Sequence, residues 1–136
     1  MPGGSVKRIR FFQEGAMIKL IGYQKCGTCR KAMKWLEEQG IQYEFRDIKT
    51  DNPTRDELRE WIPKSGLVPA KFFNTSGGAY RELNVKERLG SLSDDETIEL
   101  LASAGMLVKR PVLVSEGGVL VGFRQEQWEE ALLSGK

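Results

Sequence analysis

Histidine is absent from all 136 residues. That absence excludes a Ser-His or Cys-His dyad and removes the commonest metal ligand. Cysteine is scarce, since Cys26 and Cys29 are the only two. A structural zinc wants about four ligands, usually Cys and His, which one such chain does not supply. An excess of one charge is missing too: 21 basic and 19 acidic residues leave a formal charge of +2, and both signs are mixed along the chain. With no positive stripe to track a phosphate backbone, direct nucleic-acid binding is not expected. No apolar run approaches the roughly 18 residues of a membrane span. The first sixteen residues, MPGGSVKRIRFFQEGA, carry basic charge without the apolar stretch of a secretory signal. The expectation is a cytoplasmic protein without metal or cofactor, in a reducing compartment where a lone CxxC is seldom a structural disulfide.

What is present has the length and balance of one globular domain, with 40% hydrophobic and 29% charged residues. Residues 17–136 are read as that domain. Residues 1–16 are read as an N-terminal extension with neither helical period nor strand alternation to build on. They are a candidate for non-native sequence, because Gln13-Glu14-Gly15-Ala16 can be encoded by a stretch resembling a bacterial ribosome-binding site directly before Met17. The alternative is a genuine extension in which Phe11 and Phe12 cover an apolar edge.

MIKLIGY, residues 17–23, reads as a strand. A helix follows on the spacing of Cys29, Ala32, Met33 and Leu36, with Gly40 as its stop. IQYEFRDI, residues 41–48, reads as a second strand, completing a βαβ unit. Thr54 with Glu57, and Ser93 with Glu96, are capping boxes that open two further helices. The first has Leu58, Trp61 and Ile62 as its buried stripe and is ended by Pro63 and Gly66; the second runs through Ile98, Leu101 and Ala102. A TSGG turn at Thr75–Gly78 interrupts this mostly helical middle third. Val112–Val114 and Val119–Val121, parted by Gly117-Gly118, predict a hairpin, and Trp128, Ala131 and Leu132 a last amphipathic helix. The order suits an α/β fold: a four-stranded mixed sheet with helices packed on it.

Cys26-Gly27-Thr28-Cys29 falls at the junction of the first strand and first helix. Unpartnered backbone N–H groups and the positive end of the helix dipole favour an anion there. Lys25 and Arg30 add positive charge. The helical stripe places Cys29 inward and leaves Cys26 facing solvent, so Cys26 is the candidate nucleophile and Cys29 the resolving thiol. The bland alternative is two small apolar residues without chemistry. A second place to weigh is Arg110-Pro111, either a proline that starts a strand beside a solvated arginine or a cis-proline turn that brings Arg110 near the thiols.

The series YQKCGTCRKAMKWLEEQGI, NPTRDELREWI, KFFNTSGGAYREL and MLVKRPVLV closely resembles the arsenate reductase/Spx family, over nearly all of residues 17–133. The resemblance implies a thioredoxin-like fold with an inserted helical region and a cis Pro111 beside the cysteine loop. It implies a redox-active Cys26/Cys29 pair served by Arg110, with Gly27, Thr28 and Pro111 shaping the site. In the family's glutaredoxin-dependent arsenate reductases the catalytic cysteine matches Cys26, a serine stands at Cys29, and three arginines bind the oxyanion. Arg110 matches one; the other two align near Asn74 and Gly122, with Arg124 close to the last. The Spx regulators share the CxxC and bind the C-terminal domain of the RNA polymerase alpha subunit through a surface that includes an arginine and a glycine near the end of the second helix. Gly66 is the match for the glycine, and Pro63 stands about where the arginine belongs. The reading is a thiol–disulfide oxidoreductase or thiol redox sensor, with thioredoxin, glutaredoxin or glutathione as reductant. An Spx-like regulator and an arsenate reductase are the alternatives.

Overall fold

The computed structural model describes residues 17–133; the expectation for residues 1–16 lies outside them. Strand β1 (Lys19–Gly22) leads through a short turn into helix α1 (Gly27–Glu38), and β2 (Glu44–Asp47) returns parallel to β1. The stop of α1 is local chemistry. Gly40 adopts φ +71 and donates its N–H to Glu37 O, while the Ile41 N–H reaches Leu36 O at 3.0 Å, a left-handed glycine closure of the last turn. Both strands are shorter than their apolar patterns predict. Only Lys19–Gly22 and Glu44–Asp47 find ladder partners, and Ile41 packs under the end of α1 instead of extending β2.

Helices α2 (Arg55–Ser65), α3 (Gly78–Glu82), α4 (Val85–Arg88) and α5 (Asp94–Ala102) form the middle third, with 3-10 turns between them at Pro69–Phe72 and Leu89–Ser91 and a third after α5 at Gly105–Leu107. Both capping boxes are present: Thr54 and Ser93 accept from the N–H of Glu57 and Glu96, whose carboxylates accept the cap N–H in return. Pro63 does not end α2, as its sequence position suggests; it sits inside the last turn. Its missing N–H would have served the carbonyl of Arg59, an exposed residue, and Gly66 at φ +76 is the actual stop.

The hairpin β3 (Val112–Ser115) and β4 (Gly118–Val121) completes a sheet of order β2-β1-β3-β4, with β3 antiparallel to both β1 and β4. Helix α6 (Gln125–Leu133) follows. Alternate residues of each strand serve different cores. Ile21, Val112 and Val119 face α2, α5 and the insert, with Trp61, Phe72 and Leu101, while Leu20, Leu113 and Leu120 face α1 and α6, with Leu36, Trp128 and Leu132. Coverage of both faces explains why the central strands read as near-continuous apolar runs. Each fully buried Leu or Ile contributes about 1.5–3 kcal/mol relative to exposure. This is the thioredoxin-like α/β architecture with a helical insert between β2 and β3.

The insert is tied to the segment before β3 by main-chain bonds. Asn74 donates to Leu107 O and Lys109 to Phe72 O, each at 2.7 Å, around the Phe73–Val108 bridge. On the other side Gly105 lies so close to β2 that a Cβ would collide with the Ile48 carbonyl oxygen. Residues 105–109 are thereby held between the end of β2 and the insert, and this placement fixes the backbone from which Lys109 and Arg110 project. No described helix is long and apolar enough to cross a membrane.

Candidate functional site

Cys26 is the N-cap residue of α1, in extended conformation (φ −88°, ψ 125°) and half-buried. Its carbonyl starts the helix by accepting the Arg30 N–H at 3.1 Å, and its own N–H is held by Tyr23 O at 2.9 Å. The Arg30 side chain bonds back to Gln24 O and so brackets the same turn. Burial opposes ionisation of the Cys26 thiol. The N–H groups of Cys29 and Thr28, the adjacent Cys29 thiol and the Arg110 charge outweigh it and hold the thiol below its ordinary value. Those N–H groups act on the sulfur electrostatically, without the geometry of a side-chain cap.

Cys29 is close by and opposite in character. It has no exposure, and burial pushes its thiol up to about 12, with the Cys26 charge adding to the rise and the Tyr23 N–H, which donates to Sγ at 3.4 Å, opposing it. One thiol is shifted toward its anion and its neighbour is kept protonated. Both cysteines are free.

Arg110 precedes Pro111 through a cis peptide bond, the turn rather than the plain strand start. Its guanidinium lies 5.9 Å from the Tyr23 ring centroid and reaches Met106 O at 3.5 Å, while its Nε is buried without a partner. Pro111 is buried, and its carbonyl accepts the Gly122 N–H at 2.8 Å, which sets the β4–α6 loop beside the cysteine turn. These parts enclose a cavity of about 430 Å³. Cys26 and Thr28 line it from α1, Asn74 and Ser76 from the insert, Lys109 and Arg110 from the segment before β3, and Gly122 to Arg124 from the loop after β4.

Of the residues singled out from sequence, Cys26, Thr28 and Arg110 meet in this cavity. Gly27 is exposed on the first turn of α1, and Cys29 and Pro111 lie beneath the surface. Asn74, Gly122 and Arg124, named through the family resemblance, all line it. Lys109, Ser76 and Phe123 were missed. Lys109 had one signal, its place directly before Arg110; the other two come from a turn and a loop with no periodic pattern to read. Among the described residues no three Cys, Asp or Glu side chains converge as a metal site.

Against known proteins, the family model ArsC matches residues 21–131. The chain belongs to the ArsC family. It is 55% identical over 108 residues to YusI of Bacillus subtilis, covering 79% of this chain and 92% of that protein. It is 30% identical over 111 residues to the global transcriptional regulator Spx of Listeria innocua, covering 82% and 83%. Among solved structures, an ArsC-family-related protein from Bacteroides fragilis superposes with a TM-score of 0.82 at 51% identity, covering 84% of this chain and 96% of that one. An arsenate reductase from Vibrio cholerae does so with a TM-score of 0.76 at 28% identity, covering 86% and 98%. The fold and family expected from the motifs are those observed.

Proposed function

We propose that this ArsC-family protein is a cytoplasmic thiol–disulfide oxidoreductase or thiol redox sensor worked by Cys26 and Cys29. The observation that carries the reading is the opposite displacement of two neighbouring thiols, one held toward its anion at a helix N-terminus and the other buried and protonated. In the reductase direction the Cys26 thiolate attacks one sulfur of a substrate disulfide. The new S–S bond is a mixed disulfide, and the second substrate sulfur leaves as a thiolate that takes a proton from water. Cys29 then loses its proton and attacks Cys26 Sγ, releasing the first substrate sulfur. Two electrons pass from the protein to the substrate, with one proton from Cys29 and one from water, and a cellular thiol or dithiol such as glutathione, glutaredoxin or thioredoxin restores the protein. In the sensor direction a peroxide oxidises Cys26 to a sulfenic acid, and Cys29 closes the disulfide with release of water. Arg110 holds charge beside the reacting sulfur, and Gly27, Thr28 and Pro111 shape the turn around it.

The test is mild oxidation of the native protein followed by mass spectrometry. The expected result is a loss of two hydrogens per chain, mapped to Cys26–Cys29 and reversed by dithiothreitol or thioredoxin. Free thiols that persist after oxidation end the reading. Trapping with Cys29→Ser in cell extract should then leave mixed disulfides on Cys26.

A second reading is favoured by the Spx relatives together with one surface. Beyond the end of α2, Leu67 and Val68 follow Gly66 with 40% and 60% of their surface exposed. A regulator would use that face to hold the RNA polymerase alpha subunit. Non-covalent capture of purified alpha subunit, lost in Val68→Glu, supports it; no capture removes it.

A further inference from the structure

We propose that Lys109 is a specificity-determining residue of the Cys26 cavity, which takes a small organic disulfide or thiol substrate carrying a carboxylate near its sulfur. The proposal rests on the reading of Cys26 as the attacking thiol. Three lining side chains are cationic, Lys109, Arg110 and Arg124, and no lining residue is an Asp or Glu. Among the described residues none of the three is in an ion pair, although Arg46, Arg55, Arg59 and Lys64 all find carboxylates elsewhere. The cavity therefore concentrates positive field without internal compensation. Arg110 Nε adds a buried donor with no acceptor, a group whose burial is unfavourable until an acceptor meets it.

Lys109 is built into this place at both ends. Its N–H is fixed on Phe72 O at 2.7 Å. Its stem crosses Gly122 so closely that a Cβ there would stand 3.1 Å from Cε and 3.8 Å from Nζ. Gly122 has φ +75 and is bonded through its N–H to Pro111 O. The bare glycine that the backbone requires is thus also the bed on which the lysine stem lies, with its ammonium at the cavity.

The size and lining specify the rest of the ligand. About 430 Å³ is many times the roughly 30 Å³ share of one water, so the space suits a small organic molecule. Val121 and Phe123 add apolar side chains to the lining. An ammonium is a point charge on a flexible stem, suited to a carboxylate that arrives at varied reach from the sulfur.

The test uses two alkylating probes that differ only in charge, iodoacetate and iodoacetamide; each forms an S–C bond to Cys26 and releases iodide. The readout is the ratio of their rates at Cys26 in the reduced protein, followed by mass spectrometry and compared with the ratio for free cysteine. The wild-type ratio should exceed the free-cysteine ratio. Lys109→Met should lower it roughly threefold to tenfold at low salt, the effect of one screened charge at short range. Lys109→Arg should keep it, and raised salt should erode it. The iodoacetamide rate shows that the site is intact in each variant. An unchanged ratio in Lys109→Met overturns the inference alone. Failure of Cys26 to react even with iodoacetamide overturns the thiol reading and the inference with it.

Discussion

The Sγ of Cys29 accepts the Tyr23 N–H at 3.4 Å and lies 3.0 Å from the point where a Cβ on Gly22 would stand. The Cys29 thiol is therefore packed against the last residue of β1, and its protonated state follows from that packing. The N–H alone would favour a thiolate, yet burial dominates and pushes the thiol up to about 12.

Gly22→Ala should consequently disturb the site although it touches no substrate-facing residue. The new methyl meets Cys29 Sγ at 3.0 Å, Cys29 Cβ at 3.5 Å and the Phe45 ring at 3.6 Å, so the N-terminal turn of α1 must shift. Overpacking of this kind costs about 1–3 kcal/mol. Urea unfolding of the reduced variant should show that loss, and Cys29 should become easier to alkylate. A variant as stable as the parent, with Cys29 still protected, would mean that the sulfur moves aside without cost.

The two thiols should separate cleanly in an alkylation experiment against pH. Cys26 should react first, with a midpoint below that of free cysteine, because thiolate fraction and access both favour it. Cys29 should resist until the pH nears about 12. Arg110→Met should move the Cys26 midpoint upward, since removing a positive charge disfavours the anion, while the N–H groups of Thr28 and Cys29 keep it from rising further. An unmoved midpoint would show that Arg110 does not act on this sulfur.

Local chemistry was legible in the chain and distant convergence was not. Both capping boxes, the glycine stop of α1, the hairpin at Gly117 and the CxxC turn depend on residues within about five positions of one another, so their patterns predict them directly. Strand ends were less legible, since the bounds of β1 and β2 depend on where a partner stops rather than on their own residues. The stripe of α1 was drawn through Met33, which is half-buried, and omitted Trp35. Trp35 is buried because α6 and the loop before it bring Trp128 and Phe123 against it, at ring-centroid distances of 6.3 and 6.1 Å. The cavity shows the same limit: Cys26 and Phe123 line it together only because the sheet folds both to the same end.

Acid should weaken the tie between β2 and α2. Arg46 on β2 grips the Glu57 carboxylate with both terminal nitrogens, at 2.7 and 2.8 Å. Chiefly through that hydrogen bonding, and against the effect of burial, Arg46 holds the carboxyl at about 2, below its ordinary 4.5. A carboxylate with a lowered folded-state value stabilises the protein above the unfolded value and loses that contribution as pH falls toward the folded one. Glu57→Gln keeps the side chain that closes the capping box and removes the charge. It should cost about 1 kcal/mol at neutral pH, a third of the side chain being open to screening solvent. The gap between variant and parent in urea melts should narrow from about pH 4.5 and close near pH 2. A gap that is constant with pH would assign the loss to shape rather than charge.

Arsenate reduction should be weak or absent. The family resemblance implies that two of the three oxyanion-binding arginines of its arsenate reductases would fall near Asn74 and Gly122, and both residues line the cavity with no charge of their own. Each missing charge-assisted contact removes about 1.5–3 kcal/mol, so two absences imply at least a hundredfold loss even before transition-state effects. Lys109 and Arg124 bring charge back to the same cavity, but an ammonium does not offer the two-pronged donor geometry of the arginine it would replace, and Arg124 approaches from two residues further along the loop. The measurement is arsenate turnover coupled to glutaredoxin and glutathione, run beside the Vibrio cholerae enzyme. The expected rate is at least roughly a hundredfold below that enzyme's. Comparable turnover would show that Lys109 and Arg124 together rebuild an oxyanion site, and that the cavity's preference extends from carboxylates to inorganic anions.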